Sequence, residues 1–178
     1  MSMGEGEIRI RKLLAHERGA YRTARLESLQ HYPACFGSTY SEEAAVPILP
    51  FEHSIQQQHP TDFMLGAFVE TRLCGICGFK RETRRRTRHR GELVQLYVAP
   101  TASGRGIGSR LVAGVVSEAY LDSSLTQIIL GVIADNHAAI SVYRRAGFRE
   151  YGRLERYFVD GESSRTQLFM IHERISKS

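Results

Sequence analysis

Residues 98–112 read VAPTASGRGIGSRLV. The stretch begins inside ELVQLYVA (92–99), a run rich in strand formers that Pro100 closes. Gly104, Gly106 and Gly108 follow. From there Ile107, Leu111, Val115 and Ala119 recur every fourth residue, with Val112, Val116 and Tyr120 beside them, which predicts an amphipathic helix over Gly104–Leu121. Strand, glycine loop and helix in that order make an anion site on physical grounds. The first turn of a helix leaves N–H groups unpaired and carries the positive end of the dipole, and glycines let an anion approach them without Cβ interference. Two familiar nucleotide loops do not fit. A P-loop needs Lys-Ser/Thr after its last glycine, where this chain has Ser109-Arg110, and a dinucleotide fingerprint begun at Gly104 needs glycine at 109. A tight turn with glycines spaced by chance stays open on this stretch alone.

Outward from that loop, TQIILGVIA (126–134) reads as a mostly apolar strand buried on both faces. A short helix over Asn136–Ala146 follows, with Gly147 as its C-terminal cap. Phe148–Val159 and Arg165–Ile171 flank Asp160-Gly161, a hairpin signal. On the N-terminal side, Ile8, Ile10 and the region of Leu13 alternate as a first strand. Tyr21, Ala24, Leu26 and Leu29 share one face of a helix over His16–Gln30 that Pro33 and Gly37 end. Residues 38–62, with Pro47, Pro50 and Pro60, read either as short helices or as a loop over a pocket. Phe63–Glu70 and Leu73–Glu82 read as two strands around a turn at Thr71-Arg72. No repeat, linker or low-complexity tract interrupts this order, so the expectation is one domain over 1–178 with a flexible N-terminus over 1–7.

The chain of 178 residues is long enough to bury a core without disulfides or a metal. Its net charge of +5 is concentrated: RETRRRTRHR (81–90) holds six arginines and one glutamate, so the remainder sums to zero. A neutral body with one basic hairpin tip argues against nucleic acid as the main partner; a solvated loop is the simpler reading, and binding of RNA or an acidic protein is the alternative. No apolar run approaches the roughly 18 residues of a membrane span. Residues MSMGEGE at the start do not resemble a secretory leader, which leads to the expectation of a cytoplasmic protein. Cys35, Cys74 and Cys77 make no disulfide framework. Cys74 and Cys77 form a lone CxxC in an extended segment, where positions i and i+3 are expected to face opposite ways, so small buried strand residues are the reading.

Residues 136–148, NHAAISVYRRAGF, complete the argument. With the glycine loop they resemble the GNAT superfamily of acetyl-coenzyme A-dependent N-acetyltransferases. The family's Asn-x-x-Ala-x-x-x-Tyr-x-x-x-Gly-Phe pattern is filled at Asn136, Ala139, Tyr143, Gly147 and Phe148. Its Gln/Arg-x-x-Gly-x-Gly/Ala loop is filled at Gly106 and Gly108, but Ser103 stands where Gln or Arg is usual. The resemblance implies the α/β (α+β) GNAT fold: a mixed, largely antiparallel sheet of about seven strands, splayed between the fourth and fifth, with helices on both faces.

It also implies a site. Pantetheine lies in the splay and pairs with backbone at Leu96 and Val98, beside Tyr97, and the Val98 amide faces the thioester carbonyl as an oxyanion donor. Gly104, Arg105, Gly106, Ile107, Gly108 and Ser109 surround the diphosphate, Arg105 offsetting the change at Ser103. Asn136 caps the helix before Ala139 and reaches the pantetheine arm; Arg145 or Arg144 meets the adenosine 3′-phosphate. Tyr143 is the general acid for the departing thiolate, and Glu92 or a water chain is the base. Phe36, Tyr40 and Glu42, with Tyr32 and Glu43, are the substrate-pocket candidates. The expected activity is acetyl transfer from acetyl-coenzyme A to a primary amine of a small molecule or peptide in a ternary complex, without metal or membrane partner, by an enzyme of a family with many homodimers. A non-catalytic acyl-coenzyme A sensor, or an RNA- or acidic-protein-binding module using the 81–90 hairpin, is the rival.

Overall fold

The computed structural model describes residues 6–175; residues 1–5, most of the segment expected to be flexible, lie outside the described residues. The chain runs β1 (Ile8–Lys12), α1 (Arg18–His31), α2 (Tyr40–Ala45), α3 (Pro50–Gln57), β2 (Phe63–Val69), β3 (Arg72–Arg81), β4 (Arg90–Val98), α4 (Ile107–Ala119), β5 (Gln127–Ile133), α5 (His137–Arg145), β6 (Arg149–Asp160) and β7 (Ser163–Glu173). The seven strands form one sheet in the order β1-β2-β3-β4-β5-β7-β6. Every neighbouring pair is antiparallel except β4 and β5, which are parallel.

Two cores sandwich the sheet. Ile107, Leu111, Val112 and Val115 of α4 and Ile140 and Tyr143 of α5 pack one face with Leu65, Ala67, Phe79 and Leu93. Tyr21 and Ala24 of α1 and Phe51 and Ile55 of α3 pack the other with Met64, Phe68, Ile76 and Tyr97. The stripe at every fourth residue of α4 is the buried one, as its periodicity predicts; the helix is shorter than expected because Gly104 and Gly106 hold φ of +77° and +71°, outside helical space. Residues 38–62 resolve into two short helices. Thr39 and Glu42 close a reciprocal capping box at α2, with Glu42 N–H donating to Thr39 Oγ1 at 3.3 Å and Thr39 N–H to Glu42 Oε2 at 2.7 Å. Pro50 opens α3.

Three expectations are corrected by register. The β6–β7 turn is Gly161-Glu162, one residue later than Asp160-Gly161: Asp160 still pairs with Ser163, and Gly161 takes the φ of +57° that a two-residue hairpin demands. Cys74 and Cys77 do not face opposite ways. Between Ala67↔Gly75 and Phe68↔Leu73 the ladder leaves Cys74 as an extra residue, and this bulge turns both thiols into the α4 side of the sheet. β5 is not buried on both faces: Gly131 is exposed and Ile129 half-buried.

Candidate functional site

That parting makes the site. β4 and β5 are paired only at Arg90↔Gln127, Gly91↔Ile128 and Glu92↔Ile129. Past Glu92 the two strands diverge, and β5 continues against β7 alone. The divergence coincides with a bulge in β4, where Ile76↔Tyr97 and Gly78↔Val94 leave Gln95 and Leu96 together opposite Cys77. Gln95 adopts φ +56° and is fixed there by the Tyr21 hydroxyl, which donates to its Oε1 at 2.9 Å. The extra residue resets the alternation. Leu96 and Val98 pack toward α4 and α5, and Tyr97 packs toward α1.

The open V leads into a cavity of about 490 Å³ lined by Leu96, Tyr97 and Val98, by Ser103, Gly104, Gly106, Ile107, Gly108 and Ser109, by Asn136, Ala139 and Arg145, and by Tyr32, Cys35 and Phe36. At its floor the first intrahelical bond of α4 runs from Arg110 N–H to Gly106 O at 3.1 Å, so the amides of Ile107, Gly108 and Ser109 precede the ladder. A Cβ placed on Gly104 or Gly106 would meet nothing within 4 Å. Exposed amides, bare glycines and the positive end of α4 are the chemistry of a diphosphate cradle. Arg145 closes one side, its Nη2 donating to Ser109 Oγ at 3.4 Å. Asn136 Oδ1 accepts from Ala139 N–H at 3.2 Å, capping α5, while its Nδ2 lies 3.6 Å from Cys35 Sγ. Among the described residues no group of three or more His, Cys, Asp and Glu side chains is placed to hold a metal ion.

Not every residue singled out in the sequence reaches this cavity. The Arg105 guanidinium turns away and donates from Nη2 to the Gly6 carbonyl at 2.9 Å, so only its backbone is left to replace what Ser103 lacks. Tyr40 is exposed on α2, Glu42 is spent in the capping box, and Glu43 grips Arg25 in a two-bond ion pair. Arg25 in turn lies 4.8 Å over the Phe36 ring and holds it at the cavity wall. Glu92 stands in the paired stretch rather than on the wall. Burial raises its pKa, with Lys80 pulling the other way, while part of the residue stays exposed. Arg81 of the basic segment is not a solvated charge: it donates to the Arg88 carbonyl, to Asp122 Oδ2 at 2.8 Å and to Ser124 Oγ at 3.0 Å, leaving Arg84, Arg85, Arg86 and Arg88 exposed.

Tyr143 is placed by the way α5 ends. Gly147 at φ +95° lets Phe148 N–H reach Tyr143 O and Gly147 N–H reach Arg144 O, each at 3.0 Å, which is a Schellman motif. Its hydrophobic contact is Phe148 edge-on to Tyr143 at 5.9 Å. The phenol is therefore buried behind the cavity wall, and burial, with the Cys77 and Cys35 thiols, pushes its pKa strongly upward. Sequence reading named Tyr32 and Tyr97 but missed His31, which joins them in one group on the α1 side with rings 6.1–6.3 Å apart. No local pattern marks it, since His31 and Tyr97 are 66 positions apart.

A sheet parted at a parallel pair and floored by a glycine-capped helix is built to hold an extended ligand that ends in an anion. The model of the Acetyltransferase (GNAT) family matches residues 25–148, and the chain belongs to that family. It is 31% identical over 100 residues to N-alpha-acetyltransferase 30 of Schizosaccharomyces pombe, a match covering 56% of this chain and 66% of that protein. Among solved structures, an acetyltransferase of the GNAT family from Streptococcus pneumoniae superposes with a TM-score of 0.79 at 22% identity, covering 94% of this chain and 99% of that one. The structure of yncA from Salmonella typhimurium with its cofactor acetyl-CoA gives 0.78 at 17% identity, covering 97% and 96%. The chain spans from about a fifth to two thirds of the length of the curated relatives it matches.

Proposed function

We propose that the protein is an N-acetyltransferase that moves an acetyl group from acetyl-CoA to a primary amine by direct attack in a ternary complex. The observation that carries this is the unpaired edge of β4 from Leu96 to Val98, running straight into the free amides at the start of α4. Acetyl-CoA supplies a thioester carbonyl activated toward attack. The chain supplies the rest. The β4 edge and Asn136 hold the pantetheine arm, the amides of Arg105–Ser109 hold the diphosphate, and Arg145 meets the adenosine phosphate. The Val98 N–H donates to the oxygen on which charge develops. Tyr143 retains its proton until sulfur departs, then gives it to the thiolate.

The acceptor enters between Tyr32, Phe36 and Tyr97, on the side of the V opposite α4 and α5. The likeness to an N-alpha-acetyltransferase supports a protein or peptide N-terminus as the acceptor, and that to spermidine N(1)-acetyltransferase of Vibrio cholerae, 31% identical over 74 residues, supports a polyamine. A homodimer belongs to the same reading, through the family resemblance. No helix among the described residues is long and apolar enough to cross a membrane. The test is thiol release from acetyl-CoA on a panel of spermidine, free amino acids, lysine peptides and peptides with free α-amines. Turnover on one class supports the reading; calorimetric binding of acetyl-CoA with no turnover on any amine refutes it.

A further inference from the structure

The segment 81–90 carries the chain's net charge and has no part in the cavity. The paired residues Arg81 and Gly91 close it at its base. Inside it, Thr87 N–H and Arg88 N–H both donate to Arg84 O at 2.9 Å, so Arg84–Arg88 form a single helical turn. The turn is pinned from below. The Arg81 guanidinium, 9% exposed, donates to the Arg88 carbonyl and crosses to Asp122 and Ser124. The His89 carbonyl accepts from the amides of Thr126 and Gln127 at 2.8 and 3.2 Å, which ties the turn to the start of β5. Side chains presented on so fixed a base lose little further freedom when a partner arrives.

Nothing within the chain answers the charge. Arg84, Arg85, Arg86 and Arg88 are exposed, and none pairs with a carboxylate among the described residues. The two acids nearby are already matched, Glu82 with Arg90 at 3.9 Å and Asp122 with Arg81 at 2.8 Å. Arg84 and Arg88 are four positions apart on one turn, a spacing at which like charges repel. At roughly 100° per residue these two share one side, and Arg85 and Arg86 lead round to the others. The guanidinium groups thus radiate from a convex tip. An acidic protein surface would meet one side of it. Two facing rows of phosphates would meet both, and the guanidinium fork matches phosphate geometry. The narrow major groove of an A-form duplex brings two such rows together. The major groove of B-DNA, about 12 Å wide, holds them apart.

We propose that the Arg84–Arg88 turn is a docking site for double-stranded RNA, held through its phosphates and not its bases. It is separate from the cavity. β4 runs from Arg90 beside this turn to Val98 at the cavity, roughly 20–25 Å of extended chain with one bulge. The turn stands at the end where β4 and β5 pair, and the cavity at the end where they part. Docked RNA therefore leaves the cavity open.

The test titrates the full chain into a fluorescently labelled short RNA duplex, read by anisotropy, beside thiol release on the best amine of the panel. Four phosphate contacts give log Kd a slope of about 3–4 against log salt, a rise in Kd of roughly 100-fold between about 50 and 200 mM. Arg84→Ser, Arg85→Ser, Arg86→Ser and Arg88→Ser should each take about one from that slope. The four together should abolish binding at ~50 mM salt. Their kcat/KM for the amine should stay within about twofold of wild type, which also reports an intact fold. Arg9→Ser removes the same charge from an exposed position on β1 near the other end of the sheet, and should leave the slope unchanged. Absence of binding at ~50 mM salt overturns the proposal, as does binding that persists in the fourfold variant or falls equally in Arg9→Ser. Tighter binding of polyglutamate of equal charge overturns it in favour of an acidic protein. Equal binding of a DNA duplex of the same length overturns the match to the narrow groove. None of these results bears on acetyl transfer, which the amine panel decides separately.

Discussion

Gly106→Ala tests the cradle with two readouts of different origin. Gly106 is the N-cap of α4 at φ +71° and lines the cavity. An L-residue in left-handed space costs about 1–2 kcal/mol, and a chain of this size loses ~2–4 °C of Tm per kcal/mol, so Tm falls by about 2–8 °C. No atom lies within 4 Å of the added methyl, so no steric penalty is added in the free protein. The methyl instead enters open space at the cavity-lining start of α4, where a bound diphosphate would compete with it. Losing one charge-assisted hydrogen bond costs about 1.5–3 kcal/mol, which at ~1.4 kcal/mol per decade is a rise in Kd for CoA of about 10- to 150-fold. Calorimetry with CoA and with pantetheine, which lacks the diphosphate, separates the parts: the loss should be confined to CoA. Gly108→Ala is the control for backbone strain. It lies inside α4, and its Cβ would make ordinary 3.9 Å contacts with Val142 and Val98, so Tm should not fall. A Gly106→Ala protein with the expected drop in Tm and wild-type Kd for CoA would show that the loop does not hold the diphosphate.

Tyr143→Phe should lower kcat about 100-fold with little change in Kd for acetyl-CoA; unchanged turnover in stopped assays removes the acid role. Arg81→Met, which removes a buried guanidinium's bonds to the Arg88 carbonyl, Asp122 and Ser124, should cost about 2 kcal/mol and roughly 4–8 °C by calorimetric melting, while Arg84→Ser, Arg85→Ser and Arg86→Ser each stay within ~0.5 kcal/mol. The reverse ranking would mean that the exposed arginines, not Arg81, hold the hairpin. Asp122 is held down to about 2 by the Ser124 hydroxyl and amide and by Arg81. Its folded pKa lies below the unfolded value near ~3.9, so its contribution is full above that value and is lost as pH falls toward 2. Melting at stepped pH should show Tm declining through that window with a shallower slope in Asp122→Asn; an identical slope refutes the assignment.

The elements that carry the site were legible because their signals are local. The fourfold stripe of α4, Pro100, the glycines and the Asn136…Gly147-Phe148 frame of α5 act within a turn or two, where hydrogen-bond geometry and φ preferences decide the outcome. The capping box at Thr39–Glu42 is as local, yet residues 38–62 read either as short helices or as a loop, and the box removes Glu42 from the substrate pocket proposed for it. Register offers no such handle. Nothing in VQL announces that Gln95 will take a positive φ without being glycine, and nothing in LCGIC announces that Cys74 will be the extra residue. Bulges are set by how two strands must stay in step while one bends.

By itself, then, the sequence determined the order of elements outside residues 38–62, the amphipathic face of α4, the glycine-lined start of that helix and the family. Only the tertiary structure decided that β4 and β5 part after Glu92, that Arg105 turns to Gly6 while Arg145 turns to Ser109, and that His31 meets Tyr97. Local backbone physics reaches only as far as a helical turn or a hairpin. Pairings between residues far apart in the chain exist only once the sheet has fixed its twist, its bulges and the two faces on which helices can pack.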